Sequence, residues 1–301
     1  MKCGINYIGS KQYIAPDIAS FLIKENKRTL VELFCGGCSI TDYCVANNLF
    51  DNYIVNDRTE IGLIYKQLTE STDKEIFDKY SRIITREEFD TAPKLFKMIW
   101  SYQNLEKSYV YSRKLEKYML KLIDHIYNNT PFLNLPIGDN FIETYHLCDR
   151  ELRRRIVNRE MDDLLVELGK TNYIEKLNKG DLRSKNYTFI TEPKPVQFLI
   201  KLLKLRRTDK ITAYQRDYKD VPIPDDAVIY LDPPYKNTRG YFFDVDDGFY
   251  NYCVELSKKH PVYVSEIEIN HPNFHLVWEK TIRNCAVNYM KKRTERLYKV
   301  C

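Results

Sequence analysis

At 301 residues, with 44% hydrophobic and 30% charged residues, the chain is long enough to bury a large core and does not read as disordered or fibrous. No apolar run approaches the ~20 residues of a membrane helix, the first residues lack the basic-then-apolar layout of a signal peptide, and eight cysteines without framework spacing read as reduced thiols, so a cytoplasmic protein without a membrane partner is expected. The net charge of +5 is uneven: residues 61–210 carry 28 Lys and Arg against 22 Asp and Glu, so the middle of the chain holds the whole positive excess, where a polyanion would sit.

Taken in chain order, Thr29–Phe34 is an unbroken apolar-rich run that predicts a buried strand, Cys35–Ser39 a tight turn, and Ile40–Asn47 a helix. A second strand follows at Tyr53–Asn56 and ends at Asp57. From Ile61 to about Leu205 strand patterning gives way to helical periodicity, with Arg, Lys and Tyr on the outer face. Within Ser112–Tyr127, Leu115, Met119, Leu122, Ile123 and Ile126 recur at helical spacing. Arg150–Leu168 reads as another helix with Asp149 as its N-cap, and the Pro, Gly and Asn of Asn128–Asn140 mark a loop between the two. Short apolar strands return at Ile211–Tyr214, Ala227–Leu231 and Pro261–Ser265. The pattern is that of one α/β domain interrupted by a helical insert.

Asp232-Pro233-Pro234-Tyr235 follows the strand Ala227–Leu231 directly. Average composition would produce this tetrapeptide by accident in on the order of one chain in a thousand. Two prolines cannot donate to a sheet ladder, so the strand must stop, and the carboxyl end of a strand is where open α/β sheets bind ligands. The corner offers a carboxylate and a bare carbonyl to accept the two hydrogens of an exocyclic amine, and a Tyr235 ring to stack on a base. A strand-ending turn with a solvated acid would explain Asp232 alone. Phe34-Cys35-Gly36-Gly37-Cys38-Ser39 is a glycine turn between strand and helix, whose glycines would let backbone approach a ligand and whose helix would offer its N-terminus to a carboxylate. Asp57 lies 21 residues past Gly36 at the end of the next strand, where nucleoside-binding sheets grip a ribose diol. Cys35 and Cys38 have no second cysteine pair at ligand spacing, and Pro272 interrupts His271 and His275, so no metal is expected.

Tyr7-Ile8-Gly9-Ser10-Lys11, the Phe34–Ser39 turn, Asn56-Asp57 and Asp232-Pro233-Pro234-Tyr235 occur in an order that resembles the Dam-type, α-group adenine-N6-specific DNA methyltransferases over nearly the whole chain. The resemblance implies a Rossmann-like S-adenosylmethionine-dependent methyltransferase sheet with helices on both faces, residues 1–65 and 206–301 forming the catalytic domain and 66–205 a helical target-recognition insert on double-stranded DNA. It further implies transfer of a methyl group from S-adenosyl-L-methionine to the N6 amine of a flipped-out adenine, with Asp232, Pro233, Pro234 and Tyr235 catalytic. Tyr7, Lys11, Phe34, Gly36, Asp57, Asp217 and Asp232 match cofactor-binding positions, Lys11 as a point charge for the cofactor's carboxylate and Asp217 facing its adenine ring. Relatives usually carry glycine where this chain has Cys38. A companion restriction nuclease, a stand-alone enzyme and a mobile-element setting are all compatible with the resemblance.

In the insert, Arg153, Arg154, Arg155 and Arg159 cluster on one expected helix, and Lys201, Lys204, Arg206 and Arg207 form a second group; as sets they suit phosphate contacts, although any one of them suits a solvated face equally. Two other readings keep part of the argument. An amino-methyltransferase acting on RNA, cytosine or protein glutamine keeps fold and cofactor, and a catalytically silent DNA-binding relic keeps only the fold.

Overall fold

The computed structural model describes residues 3–7, 9–101, 106–128, 147, 152–153, 192–234, 247–284 and 291–301. The chain divides into two compact units, residues 1–70 with 205–301, and residues 71–204.

The first unit is built on a seven-stranded sheet. Its strands are β1 (Thr29–Glu32), β2 (Asn52–Asn56), β3 (Ile211–Tyr214), β4 (Ala227–Leu231), β5 (Val262–Glu266), β6 (Phe274–Asn284) and β7 (Lys291–Val300). In space they run β3-β2-β1-β4-β5-β7-β6. The first five are mutually parallel, whereas β7 is antiparallel to both β5 and β6. Every residue of β1, β4 and β5 is buried, which is why those segments read as continuous runs and not as alternating ones.

Side chains of a strand alternate between faces, so register assigns them. Val31, Leu33, Ile229, Leu231, Val262, Val264, Tyr298 and Val300 join Phe249 and Cys253 of a helix at Asp247–Ser257 in one core. The other parity, Leu30, Val228, Tyr230, Tyr263 and Leu297, is also buried, and there the Tyr263 hydroxyl donates to Glu25, just beyond helix α1 (Ala15–Leu22). Helix α1 packs on α2 (Ser39–Ala46), and Lys280 of β6 reaches Asp17 of α1 at 2.8 Å. Both faces of the sheet are therefore covered by helix, an α/β Rossmann-like arrangement. Helix α3 (Ile61–Glu70) packs on β3 and stays with this unit.

The second unit is helical among its described residues. It contains α4 (Asp73–Tyr80), α5 (Arg86–Phe89), α6 (Lys94–Trp100), α7 (Arg113–Asn128) and α8 (Lys194–Leu203), and the helix at Asp247–Ser257 in the first unit is α9. Thr72 with Glu75, and Thr85 with Glu88, form reciprocal capping boxes that satisfy the first amides of α4 and α5. Met119, Leu122, Ile123 and Ile126 of α7 are buried, and α8 packs against α4 and α6. The expected helix Arg150–Leu168, apart from residues 152–153, and the loop Asn128–Asn140, apart from Asn128, lie outside the described residues.

Candidate active site

The strand order reverses between β1 and β4, and at such a switch point two loops diverge from adjacent strand ends and leave a crevice. Glu32 of β1 is level with Tyr230 of β4, so the turn Phe34–Ser39 and the corner Asp232–Pro234 leave the sheet side by side. Asp57 leaves the adjacent β2, and Asn56 knits the ends of β1, β2 and β3 together. Its side-chain amide donates to the carbonyls of Leu33 at 3.1 Å and Arg216 at 3.2 Å, and its oxygen accepts the Arg216 amide at 3.0 Å. Motif order in the sequence flags Asn56 without revealing this three-strand role.

Asp57 is tied to the glycine turn. Its Oδ2 accepts the Gly36 amide at 3.1 Å, while Oδ1 accepts the Thr59 amide and hydroxyl, both at 2.8 Å. The glycines themselves answer to another demand. A Cβ on Gly37 would lie 2.3 Å from the Ile5 carbonyl oxygen, and one on Gly36 would lie 3.0 Å from the Tyr7 ring. The segment Gly4–Tyr7 thus crosses directly over the turn, held by the Ile5 amide on the Gly37 carbonyl at 2.8 Å and the Gly4 amide on Asp42 Oδ2 at 2.8 Å. The room the glycines give is taken, in these directions, by the chain's own N-terminal segment. Cys38 adopts φ 54°, the left-handed region, as N-cap of α2. Burial keeps both nearby thiols protonated, pushing Cys38 up to about 11 and Cys35 well above the ordinary thiol value. Among the described residues no group of three His, Cys, Asp or Glu side chains is placed to hold a metal, and no helix is long and apolar enough to cross a membrane.

The N-terminus of α2, expected to receive a ligand's carboxylate, faces a carboxylate of the chain itself. Glu32 Oε2 accepts the Thr41 hydroxyl at 2.6 Å and the Thr41 amide at 3.3 Å. Glu32 is only 2% exposed, and burial pushes its carboxyl up to about 8 against the opposing pull of Thr41 and Lys11, with the charge of Asp232 adding to the rise. Lys11 departs from expectation in the same way. Its ammonium lies 2.7 Å from Asp232 Oδ2 and 3.8 Å from Glu295 Oε2, and it donates to the Gly9 carbonyl at 3.3 Å. The lysine expected to meet a ligand's carboxylate is engaged by carboxylates of the protein.

The remaining expected residues divide. Phe34 packs its ring 5.1 Å from that of Tyr218, within an aromatic group that includes Phe249 and Tyr252. Asp217 is exposed beside this group and caps the 3-10 turn Tyr218–Asp220 by accepting the Lys219 amide at 3.1 Å. Pro233 is buried and Pro234 half-buried, whereas Tyr235 lies outside the described residues. In the second unit Arg153 is buried, with Nε donating to Glu192 at 2.8 Å, so this arginine is withdrawn from a solvent-facing phosphate set; Arg154, Arg155 and Arg159 lie outside the described residues. Arg207 is exposed and sits in the first unit, where it donates to the carbonyls of Leu205 and Leu68.

A crevice at a strand-order switch, floored by an acid on a Pro-Pro corner and flanked by an acid tied to a glycine turn, suits a nucleoside-bearing ligand beside an amine. Comparison with curated proteins finds no match. The family model described as D12 class N6 adenine-specific DNA methyltransferase matches residues 7–253, and the chain, an enzyme, belongs to that family.

Proposed function

We propose that this enzyme transfers the methyl group of S-adenosylmethionine to the N6 amine of an adenine flipped out of double-stranded DNA. The observation that carries the reading is the position of Asp232, at the carboxyl end of β4 and adjacent to the glycine turn of β1. S-adenosylmethionine, when bound, supplies an electrophilic methyl group on a sulfonium. The chain fits such a ligand, with the acids Asp57 and Asp232 at the carboxyl ends of β2 and β4 on either side of the glycine turn of β1. Asp57 accepts the Gly36 amide on Oδ2 and the Thr59 amide and hydroxyl on Oδ1, which leaves one Oδ2 lone pair for a ribose hydroxyl.

Asp232 and the Pro233 carbonyl each accept one hydrogen of the adenine amine, which draws its nitrogen lone pair out of conjugation and aims it. Asp232 Oδ2 is already fixed by Lys11, so orienting it costs little when the base arrives. As the nitrogen–methyl bond forms and the methyl–sulfur bond breaks, leaving a neutral thioether, the hydrogen-bonded carboxylate of Asp232 steadies the positive charge on the nitrogen, and the surplus proton is then lost to solvent. Tyr235, next along the corner, is the ring on which the flipped base stacks. Residues 71–204 form the target-recognition unit, with Lys201, Lys204 and the arginines at 154, 155 and 159 supplying phosphate contacts, to which Arg206 and Arg207 of the first unit add.

Incubating the protein with S-adenosylmethionine carrying a labelled methyl group and with DNA, RNA or protein separates the possible acceptors, and nucleoside mass spectrometry identifies the methylated atom. Label on adenine N6 in duplex DNA is expected. Asp232→Ala should lower turnover by at least about a hundredfold while DNA binding persists; an active Asp232→Ala protein refutes the assignment.

A further inference from the structure

We infer that Glu295 of β7 is a positioning residue for methyl transfer, acting through Lys11 to fix the Asp232 carboxylate; the inference rests on reading Asp232 as the acid that binds the amine. Strand parity brings these groups to one face. Glu32 and Leu30 alternate with the Val31 side of β1, Tyr230 with the Ile229 side of β4, and Glu295 shares the parity of Leu297 and Lys299 on β7. Register brings them to one end as well, since Arg296 pairs with Glu266 at the carboxyl end of β5. The family match ends at residue 253, so this end of β7 lies beyond it.

Glu295 is 4% exposed and Lys11 6%. Burying such charges is costly unless they are paired with good geometry, and a buried pair is therefore weak support for stability but a strong geometric constraint. Lys11 has three N–H donors on a flexible four-carbon stem. Asp232 at 2.7 Å and the Gly9 carbonyl at 3.3 Å accept from it. Glu295 at 3.8 Å is beyond hydrogen-bond length and acts on the ammonium as a second buried negative charge, which favours its staying beside the carboxylate it orients. A small misplacement of a catalytic group is expensive in rate, so loss of this restraint should appear in turnover and not in ligand affinity.

The test is a cycle of four proteins, wild type, Glu295→Gln, Lys11→Met and the double variant, each assayed for kcat and for KM toward S-adenosylmethionine and a duplex substrate. Expected is a fall in kcat of at least about tenfold in Glu295→Gln, with both KM values within about twofold of wild type. If Glu295 works through Lys11, adding Glu295→Gln to Lys11→Met costs nothing further. A Glu295→Gln protein with wild-type kcat, losses that multiply in the double variant, or a change confined to KM overturns the inference. Should Glu295→Gln lack a cooperative melt, Glu295→Asp takes its place in the cycle, and failure of both to fold makes Glu295 a structural residue and overturns the inference too. A wild-type chain that methylates no adenine overturns the reading of the site and this inference with it, whereas an active wild type with multiplicative losses overturns this inference alone.

Discussion

Glu32→Gln isolates the energetic consequence of burying an acid beneath the glycine turn. The carboxyl sits fully enclosed, accepts two hydrogen bonds from Thr41, and is raised from an ordinary 4.5 to about 8, chiefly because burial disfavours its charged form. The folded protein therefore holds a proton that the unfolded chain releases once pH passes about 4.5. The sign follows from linkage. The folded state binds more protons across this window, so stability is full below about 4.5, declines as pH rises and levels off above about 8. At about 1.4 kcal/mol per tenfold, the decline attributable to this one group is on the order of 4–5 kcal/mol. Glutamine keeps an amide oxygen for Thr41 and does not titrate, so it lacks that decline. Urea unfolding of both proteins at intervals between pH 5 and 9 gives the difference in unfolding free energy, in which groups common to both largely cancel. Relative to the variant, wild type should lose several kcal/mol across the series. A difference that stays flat with pH would show that Glu32 is ionised throughout and would refute the burial argument.

Two further substitutions probe the turn and the ribose acid. Cys38 holds a left-handed φ of 54°, costing about 1–2 kcal/mol for a side-chain residue; Cys38→Gly relieves this while losing a small buried thiol, so urea midpoints should place it within about 1 kcal/mol of wild type. Cys38→Val, β-branched at that φ, should be at least about 2 kcal/mol less stable than the glycine variant, and equal midpoints for the two would contradict the backbone argument. Asp57→Ala removes both the proposed diol contact and the bond that holds the Gly36 amide; calorimetric titration should show S-adenosylmethionine affinity lowered by at least about tenfold, and an unchanged Kd would clear Asp57 of that role.

What was legible in the sequence follows the physics of burial. Ala227–Leu231 is a strand between those very residues, because a parallel strand covered on both faces is an uninterrupted apolar run; Ile211–Tyr214 also keeps its expected bounds, as an edge strand of which only Ile211 is buried. The hairpin β6–β7 carries Glu279, Lys280, Glu295 and Arg296 among its apolar residues and has a register shift between Leu276 and Trp278, so its alternation is broken exactly where a period-two pattern would be sought. Asp57 and Asp232 could be placed from local grammar alone, as acids at the ends of apolar runs. The uses of the glycines and of Lys11 could not. The partners that claim them, Ile5 and Tyr7 for the turn and Asp232 for the lysine, are distant in sequence, and only the folded register shows who stands opposite. Arg153 fails for the same reason, since a run of arginines carries no sign that Glu192 waits for one of them.

The three departures share one cause, and it bears on how the crevice works. Gly36 and Gly37 accommodate the Gly4–Tyr7 segment, the α2 N-terminus takes Glu32, and Lys11 takes Asp232, so groups that read singly as ligand contacts are spent on the protein's own frame. Such internal pairing fixes these groups before any ligand arrives. For the proposed reaction, whose electrophile already carries its positive charge, that is the useful allocation. Strong contacts to the ground state would lower KM without helping the transfer, whereas a carboxylate pinned in advance at the point where new charge appears helps the transition state alone. The segments that do the pinning come from opposite ends of the matched region and beyond it, Lys11 near its start and Glu295 past residue 253. On the proposed reading the β6–β7 hairpin therefore belongs to the catalytic apparatus on physical grounds, although the family match ends at residue 253.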